Sequence, residues 1–273
     1  MHIRDLHTLE DYAAVVDLQR RVWGEECDDI VPLSMLAVAG KIGGILLGAV
    51  AEDGRLVGFV FSLPGIREGR PMQWSHMLGV LPEHRGSGVG WRLKCAQRER
   101  TLGMALDLIE WTFDPLMAPN AHLNVARLGA VVETYLEDVY GASASPLHRG
   151  APTDRFVATW RIASPHVRRR LEASALVARD ASVREAPMII ETVERSRFRA
   201  PAGEPRLDVA APRVFVETPV AFLEMLADEP DLALEWRLVT RRVFQHLFSR
   251  GYRVVDFTWD RRSARAGYLL QHR

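Results

Sequence analysis

The sequence predicts an α+β protein built around a mixed sheet, and three observations support this fold class. Three apolar, strand-like segments follow one another with short turns, a pattern typical of an antiparallel meander and unlike a Rossmann unit. The last of these strands leads through a glycine-rich turn into an amphipathic helix. A second strand–helix–strand pattern recurs in the C-terminal part of the chain.

The N-terminal elements follow from apolar spacing and turn residues. Apolar residues at helical spacing predict a helix over residues 10–22, after a short strand at residues 2–6. Asp53-Gly54 is a good tight-turn dipeptide between strands at residues 45–51 and 56–63. A turn at residues 65–69 then leads into a central strand, which Pro82 stops.

The remaining elements complete the first domain and begin a second. Apolar periodicity predicts helices at residues 88–102 and 120–128, with Gly129 as the C-cap of the latter. Strands are expected at residues 106–113, 130–140 and 156–162. We therefore predict one domain over residues 1–163 and a smaller α/β domain over 164–273, with a helix at 167–178 and a polar loop at 196–205.

The turn that follows the central strand has the features of an anion site. Glycines at positions 86, 88 and 90 let the backbone approach a ligand closely, and the helix that begins there directs free amides and a positive dipole end towards it. The guanidinium of Arg85 adds a positive fork for a phosphate oxygen. These residues predict a pyrophosphate cradle, the alternative being an ordinary glycine-rich turn.

The spacing of this turn excludes two common phosphate motifs. The chain has no Walker loop, and Trp91 stands where a dinucleotide fingerprint needs its third glycine. The remaining pattern, Arg-x-x-Gly-x-Gly at Arg85, Gly88 and Gly90, resembles the acyl-CoA signature of the GNAT superfamily of N-acyltransferases. The resemblance extends to the element order over residues 1–163. It implies fourth and fifth strands that splay apart around the pantetheine of an acyl-CoA.

The GNAT resemblance also implies which residues bind the carrier. The pantetheine amides are expected to pair with the strand backbone at Leu78 to Val80, and the pyrophosphate with the amides of the glycine-rich turn. Asn120 is a further candidate for carrier binding or for positioning the acceptor. The full expected set is Leu78, Gly79, Val80, Arg85, Gly86, Ser87, Gly88, Val89, Gly90, Trp91 and Asn120.

Acyl transfer to an amine needs a base, an oxyanion donor and a leaving thiolate. His76 is the base candidate, because strand alternation places it on the same face as Leu78, whose amide is the expected oxyanion donor. Its alternative role is a half-buried, satisfied histidine. Asp114 is expected to orient or bind an ammonium group, or else to be a turn residue before Pro115.

One position departs from the family pattern. Many GNAT enzymes carry a tyrosine acid where this sequence has Val125. Tyr135 or Tyr140 could substitute for it, or the thiolate could leave without a proton donor.

The C-terminal domain resembles a degenerate copy of the first. Trp91-Arg92-Leu93 recurs as Trp236-Arg237-Leu238, and similar strand sequences flank both copies. The glycine-rich turn has no counterpart there. We therefore expect a half-repeat that supports the first domain, the alternative being chance similarity of two amphipathic units.

Composition limits the class of protein. The 35 basic and 35 acidic residues cancel, which gives no overall nucleic-acid footprint, and the longest apolar stretch is too short to cross a membrane. Two cysteines without metal-ligand spacing indicate reduced thiols in a cytoplasmic protein. We leave a homodimer open and expect no metal.

The sequence therefore predicts an N-acyltransferase that uses acetyl-CoA or another acyl-CoA, with succinyl-CoA possible, and acts on a small amine or amino acid. Two alternatives stay open: a non-catalytic acyl-CoA sensor or assembly module, and an acetylase of proteins. The acidic residues near Asp28 are the only hint of a groove for a basic peptide. Sequence alone gives neither the acyl group nor the acceptor.

Overall fold

A computed structural model of the chain describes residues 1–25, 29–141, 150–172, 185–260 and 263–273. These form two compact units. The first holds residues 1–111 and 161–164, and the second holds the described residues of 112–160 and 165–273. The predicted boundary lay after residue 163, whereas most of residues 112–160 here belong to the second unit.

The first unit is a sheet with helices. Its elements are β1 (His2–Asp5), α1 (Leu9–Trp23), α2 (Leu33–Lys41), β2 (Ile45–Val50), β3 (Leu56–Arg67), β4 (Arg70–Val80), α3 (Val89–Gly103) and β5 (Leu108–Phe113), whose last two residues lie in the second unit. The strands lie in the order β1-β2-β3-β4-β5. All neighbours are antiparallel except β4 and β5, which are parallel. The predicted α+β class with a mixed sheet is confirmed.

Local sequence explains where the first helix begins. The Thr8 hydroxyl accepts a hydrogen bond from the Asp11 amide, and the Asp11 carboxylate accepts from the Thr8 amide, which forms a capping box. Behind this cap, Tyr12, Val15 and Leu18 at helical spacing are buried in the first core. The predicted helix over residues 10–22 is therefore present.

The hairpin between β3 and β4 is tighter than the sequence suggested. β3 continues to Arg67, so that the turn consists of Glu68 and Gly69, both with positive φ (51° and 77°), and not of residues 65–69. Gly65, the first residue of the predicted turn, is paired with Met72 inside the hairpin. The helix α2 was not predicted, because its short apolar sequence lacks a polar face.

The second unit has its own sheet and a separate hairpin. Its elements are α4 (Ala118–Ala121), β6 (Val131–Leu136), β7 (Arg155–Arg161), α5 (Pro165–Glu172), β8 (Glu191–Arg195), β9 (Phe198–Ala202), β10 (Arg213–Thr218), α6 (Phe222–Asp228), α7 (Pro230–Ser249), β11 (Tyr252–Asp260) and β12 (Arg265–His272). The order in its sheet is β7-β6-β11-β12-β10, and β8 pairs with β9 alone.

Three details of this unit differ from the sequence-based expectation. The segment His122–Arg127 is a π-helix, although Gly129 has positive φ (73°) as a C-cap residue would. The predicted loop at residues 196–205 contains β9, which pairs with β8 in a two-stranded hairpin. In addition, β10 and β11, the two strands of the second strand–helix–strand pattern, are separated by β12. The corresponding strands of the first pattern, β4 and β5, pair directly.

The second unit is held by an aromatic core. The ring of Phe156 packs against those of Phe244 and Tyr268 with centroids 4.7 and 5.4 Å apart. Trp236 is fully buried, and its indole N–H donates to the Arg199 carbonyl at 2.9 Å. Across the described ranges of the chain, no helix is long and apolar enough to span a bilayer.

Candidate active site

The glycine-rich turn leaves open space in front of α3. Gly86 and Gly88 have φ of 77° and 86°, which other residues adopt only with strain. A Cβ atom placed on either would meet no other atom within 4 Å. Backbone conformation, and not tight packing, therefore explains both glycines, and the turn is not sealed by side chains.

The N-terminus of α3 has the properties of an anion site. Gly88 is its N-cap, no side chain caps it, and its first turn contains no acidic residue. The amides of Val89, Gly90 and Trp91 come before the first helical hydrogen bond, which Arg92 donates to the Gly88 carbonyl at 3.0 Å. These N–H groups and the helix dipole together favour a negatively charged group such as a diphosphate.

Two side chains of the turn are tied to its own backbone. The Arg85 Nε donates to the Val80 carbonyl at 3.1 Å, which holds the exposed guanidinium at the end of β4. The Ser87 hydroxyl donates to the His84 carbonyl at 2.6 Å. The roles of both residues in phosphate binding stay predictions.

The central strand separates from its parallel neighbour close to this turn. In the part of the chain that the structure describes, β4 pairs with β5 only at Gln73–Ile109 and Trp74–Glu110. Beyond them β4 continues to Val80, paired on its other side with β3. The backbone of Leu78, Gly79 and Val80 thus lies along the stretch where a pantetheine arm is expected.

Gly79 has a separate, structural reason to be glycine. A Cβ atom there would lie 2.7 Å from the ring of Phe59 and 3.2 Å from that of Trp23. These two rings meet edge to face, with centroids 5.9 Å apart. The position therefore requires glycine for core packing, whatever it contributes to carrier binding.

His76 occupies a β-bulge. Pairing with β3 changes from Ser75–Ser62 to Met77–Phe61, so that His76 is an extra residue in β4. The strict alternation used to place His76 and Leu78 on one face therefore does not hold across this point. The His76 side chain is exposed, and its ring lies edge-on to that of Phe61 with centroids 6.1 Å apart.

The electrostatic surroundings of His76 favour its neutral form. Partial desolvation by neighbouring atoms lowers the pKa of its imidazole, and the negative charge of Asp29 opposes that shift without reversing it. At neutral pH the ring is thus mostly unprotonated, which is the form that accepts a proton. A bulge is also a common place for a strand to aim a functional side chain.

Asp114, the predicted ammonium-binding residue, is engaged within the second unit. Its carboxylate is buried and receives two hydrogen bonds from the Arg237 guanidinium, at 2.9 and 2.6 Å. The Leu116 amide also donates to it at 2.8 Å. An ammonium group would therefore have to compete with an arginine that is itself 1% exposed.

Tyr135, the predicted acid, is engaged in the same unit. Its hydroxyl donates to the Asp154 carboxylate at 2.6 Å. Burial and the neighbouring Asp154 raise the pKa of Tyr135 above its ordinary range. Asn120 is exposed at the end of α4, and its part in carrier binding stays a prediction.

Sequence reasoning missed a buried polar cluster beneath β4. Lys94 and Gln97 on α3 meet Ser75 and the ring of Trp111, and all four residues are at most 6% exposed. The spacing carried a signal for Gln97 alone, because Val89, Leu93, Gln97 and Thr101 recur every four residues on the buried face of α3.

Two further expectations concern an acidic groove near Asp28 and the absence of a metal ion. Glu26, Cys27 and Asp28, which include the proposed acidic rim of a groove, lie outside the described residues. Among the residues that are described, no group of three or more His, Cys, Asp and Glu side chains is arranged to hold a metal ion.

The first unit can be compared with the fold that the resemblance to the GNAT superfamily implies. The first unit has the antiparallel meander, the glycine-rich entry into α3 and the early separation of β4 from β5 that the resemblance implies. No protein-family model matches the sequence, and no curated protein sequence matches it either.

Several solved structures of GNAT acetyltransferases resemble the chain. A GNAT-family acetyltransferase from Streptococcus pneumoniae is 18% identical, with 58% of this chain and 97% of that chain covered and a TM-score of 0.48. An aminoglycoside 6'-N-acetyltransferase complexed with coenzyme A is 19% identical, with 60% and 98% covered and a TM-score of 0.46. Arabidopsis thaliana NAA60 in complex with a bisubstrate analogue is 15% identical, with 58% and 96% covered and a TM-score of 0.46.

Proposed function

We propose that this protein is an acyl-CoA-dependent N-acyltransferase that transfers an acetyl or succinyl group to a small amine or amino acid. The single observation that carries the proposal is the uncapped N-terminus of α3 behind an open glycine turn, at the end of a strand that has left its parallel neighbour. A diphosphate and an extended amide-bearing arm together fit that combination.

In the proposed reaction the acceptor amine attacks the thioester directly. Its ammonium form first loses a proton to the neutral imidazole of His76. The amine nitrogen then forms a bond to the carbonyl carbon, and the negative charge on the carbonyl oxygen is stabilised by the backbone N–H of Leu78. The nitrogen, which carries an extra proton after attack, gives that proton to water as the intermediate collapses. The carbon–sulfur bond breaks, and the thiolate leaves and takes a proton from water.

This scheme assigns no proton donor to the thiolate. Val125 stands at the position of the usual tyrosine acid, and the Tyr135 hydroxyl already donates to Asp154. A thiolate is a tolerable leaving group near neutral pH, because its conjugate acid has a pKa of about 8.5.

The proposal is tested by mixing the purified chain with acetyl-CoA or succinyl-CoA and a panel of amines and amino acids, and measuring free thiol. Replacement of His76 by alanine is expected to lower kcat by about a hundredfold while the affinity for CoA changes little. The matched control is His2→Ala, another exposed histidine of the first unit. Unchanged turnover in the His76 variant would remove this residue from the mechanism.

A non-catalytic acyl-CoA sensor is the second candidate, and the engaged state of Asp114 and Tyr135 favours it. The same assay separates the two functions. Tight CoA binding without acceptor-dependent release of thiol would support the sensor, whereas release that depends on one class of amine would identify the acceptor.

A further inference from the structure

The cluster beneath β4 contains a fully buried amine for which the proposed mechanism has no use. Lys94 is 2% exposed, and its Nζ donates to the Ser75 hydroxyl at 3.0 Å and to the Gln97 side-chain carbonyl at 2.8 Å. The same atom lies 3.6 Å from the centroid of the Trp111 ring. These contacts are with neutral groups, and burial lowers the pKa of Lys94 well below its ordinary value.

The three polar side chains form a closed arrangement. The Gln97 Nε2 donates a hydrogen bond to the Ser75 hydroxyl at 3.1 Å. The Ser75 hydroxyl in turn donates to the Gln97 Oε1 at 3.2 Å. Lys94 therefore bridges two groups that already contact each other. Because each partner fixes the other two, Ser75 has little freedom to move relative to α3.

The place of Ser75 in β4 gives this arrangement its significance. Pairing with β5 ends one residue before it, at Trp74, and the bulge at His76 begins one residue after it. At a bulge the ladder is locally disrupted, so fewer backbone hydrogen bonds hold the strand. The side chain of Ser75 ties this point of β4 to α3 through Lys94 and Gln97.

We propose that Lys94 is a positioning residue, which acts through Ser75 and Gln97 to hold the β4 bulge in the geometry that aims His76. The inference rests on the proposed function for its kinetic consequence. Its structural consequence, the orientation of the His76 ring, does not depend on catalysis.

A second buried hydrogen bond to β4 offers a matched control. The Ser62 hydroxyl donates to the Gln73 side-chain carbonyl at 2.8 Å, and both residues are 0% exposed. Ser62 lies on β3 and pairs with Ser75 at the edge of the bulge, but its hydroxyl bonds Gln73 and not α3. Ser62→Ala therefore removes a buried hydrogen bond between β3 and β4 next to the bulge and leaves the bonds of Ser75 to α3 in place.

The experiment compares Lys94→Met and Ser75→Ala with Ser62→Ala. Methionine keeps the length and apolar stem of lysine, and Ser75 and Gln97 can still bond each other, so the fold is expected to persist. The NMR signals of the His76 ring, assigned with His76→Gln, are expected to shift in both cluster variants and to stay in place in Ser62→Ala. If Lys94→Met fails to fold, Lys94→Gln is measured in its place.

Kinetics supply the second readout. If the chain transfers acyl groups, Lys94→Met should lower kcat by roughly tenfold to a hundredfold and leave KM for acyl-CoA within about twofold, because a misaimed base costs turnover and not carrier binding. An unchanged His76 signal in Lys94→Met would overturn the proposal. A shifted signal in a chain that transfers nothing would support the positioning role and refute the proposed function.

Discussion

The two helices that carry the Trp-Arg-Leu sequence use it in opposite ways. In α3 of the first unit, Arg92 is exposed and donates to the Met1 carbonyl at 3.1 Å. In α7 of the second unit, Arg237 is 1% exposed and forms two hydrogen bonds to Asp114. The same three letters thus give a solvated arginine in one helix and a buried ion pair in the other.

The starts of the two helices differ as well. α3 begins behind glycines and has no acidic residue in its first turn. α7 begins with Pro230 after the N-cap Glu229 and has Asp231 in its first turn. Negative side chains satisfy the positive end of α7 and repel an anion there, whereas the corresponding end of α3 is open to one. Of these two helices, α3 is therefore the one whose start suits the proposed phosphate.

The largest effect that separates the two helices is expected in folding. Arg237→Met leaves the Asp114 carboxylate buried without its arginine, which should lower the free energy of unfolding by about 3–5 kcal/mol. Arg92→Met should change it by about 0.5 kcal/mol or less, because that side chain is exposed. Urea unfolding followed by circular dichroism measures both.

A double variant provides a second test in case Arg237→Met does not fold. Arg237→Met combined with Asp114→Leu replaces the ion pair by apolar groups and should recover most of the lost stability. Equal losses in Arg92→Met and Arg237→Met would show that the buried pair is not what distinguishes the two helices.

The next largest effect concerns the open turn before α3. Gly88→Ala strains a residue with φ of 86° and is expected to weaken CoA binding about tenfold to a hundredfold, through the loss of one or more hydrogen bonds to the diphosphate. Gly69→Ala is the control, since Gly69 has φ of 77° and a Cβ atom there also meets nothing within 4 Å. Calorimetric titration measures the affinity of both variants for CoA. Equal losses of affinity in Gly88→Ala and Gly69→Ala would show that CoA does not bind at the turn before α3.

The comparison also explains what the sequence could and could not predict. The glycine-rich turn was predictable, because positive φ values and the lack of a side-chain cap depend on local residues such as Gly86 and Gly88. The pairing of Arg237 with Asp114 was not, because the two residues are 123 positions apart and no local pattern marks them.

The bulge at His76 shows a second kind of limit. One extra residue in β4 changes which side chains share a face, and its place depends on pairing with β3 and not on the strand's own residues. Lys94 is similar, since a lysine at that helical position reads as solvated until the contacts of α3 with Ser75 and Trp111 are known.

The pH dependence of folding tests the buried amine of the first unit. Burial lowers the pKa of Lys94, so the unfolded chain binds more protons than the folded chain between that lowered value and the unfolded value of about 10.4. The free energy of unfolding should therefore rise with pH in this window, by at most about 1.4 kcal/mol per pH unit from this group.

Lys94→Met isolates this contribution, because it removes the titrating group. The difference in unfolding free energy between the native protein and the variant should move in favour of the native protein as pH rises from about 7 to about 9.5. Lys41→Met, at an exposed position, should leave the slope unchanged. Parallel curves for the native protein and Lys94→Met would mean that the amine is charged in the folded state throughout this range.

The smallest effect is expected at Tyr135 in the second unit. Tyr135→Phe removes one hydrogen bond to Asp154, whose carboxylate keeps two from Arg241, at 2.8 and 2.7 Å. The free energy of unfolding should fall by about 1 kcal/mol, and turnover should stay within about twofold if the hydroxyl only supports the fold. A proton donor to the leaving thiolate would instead lose about a hundredfold in kcat. Tyr140→Phe, at the other candidate position, is the control, since this ring is 55% exposed. A large loss of kcat in either variant would identify the missing acid and would argue against a thiolate that departs unaided.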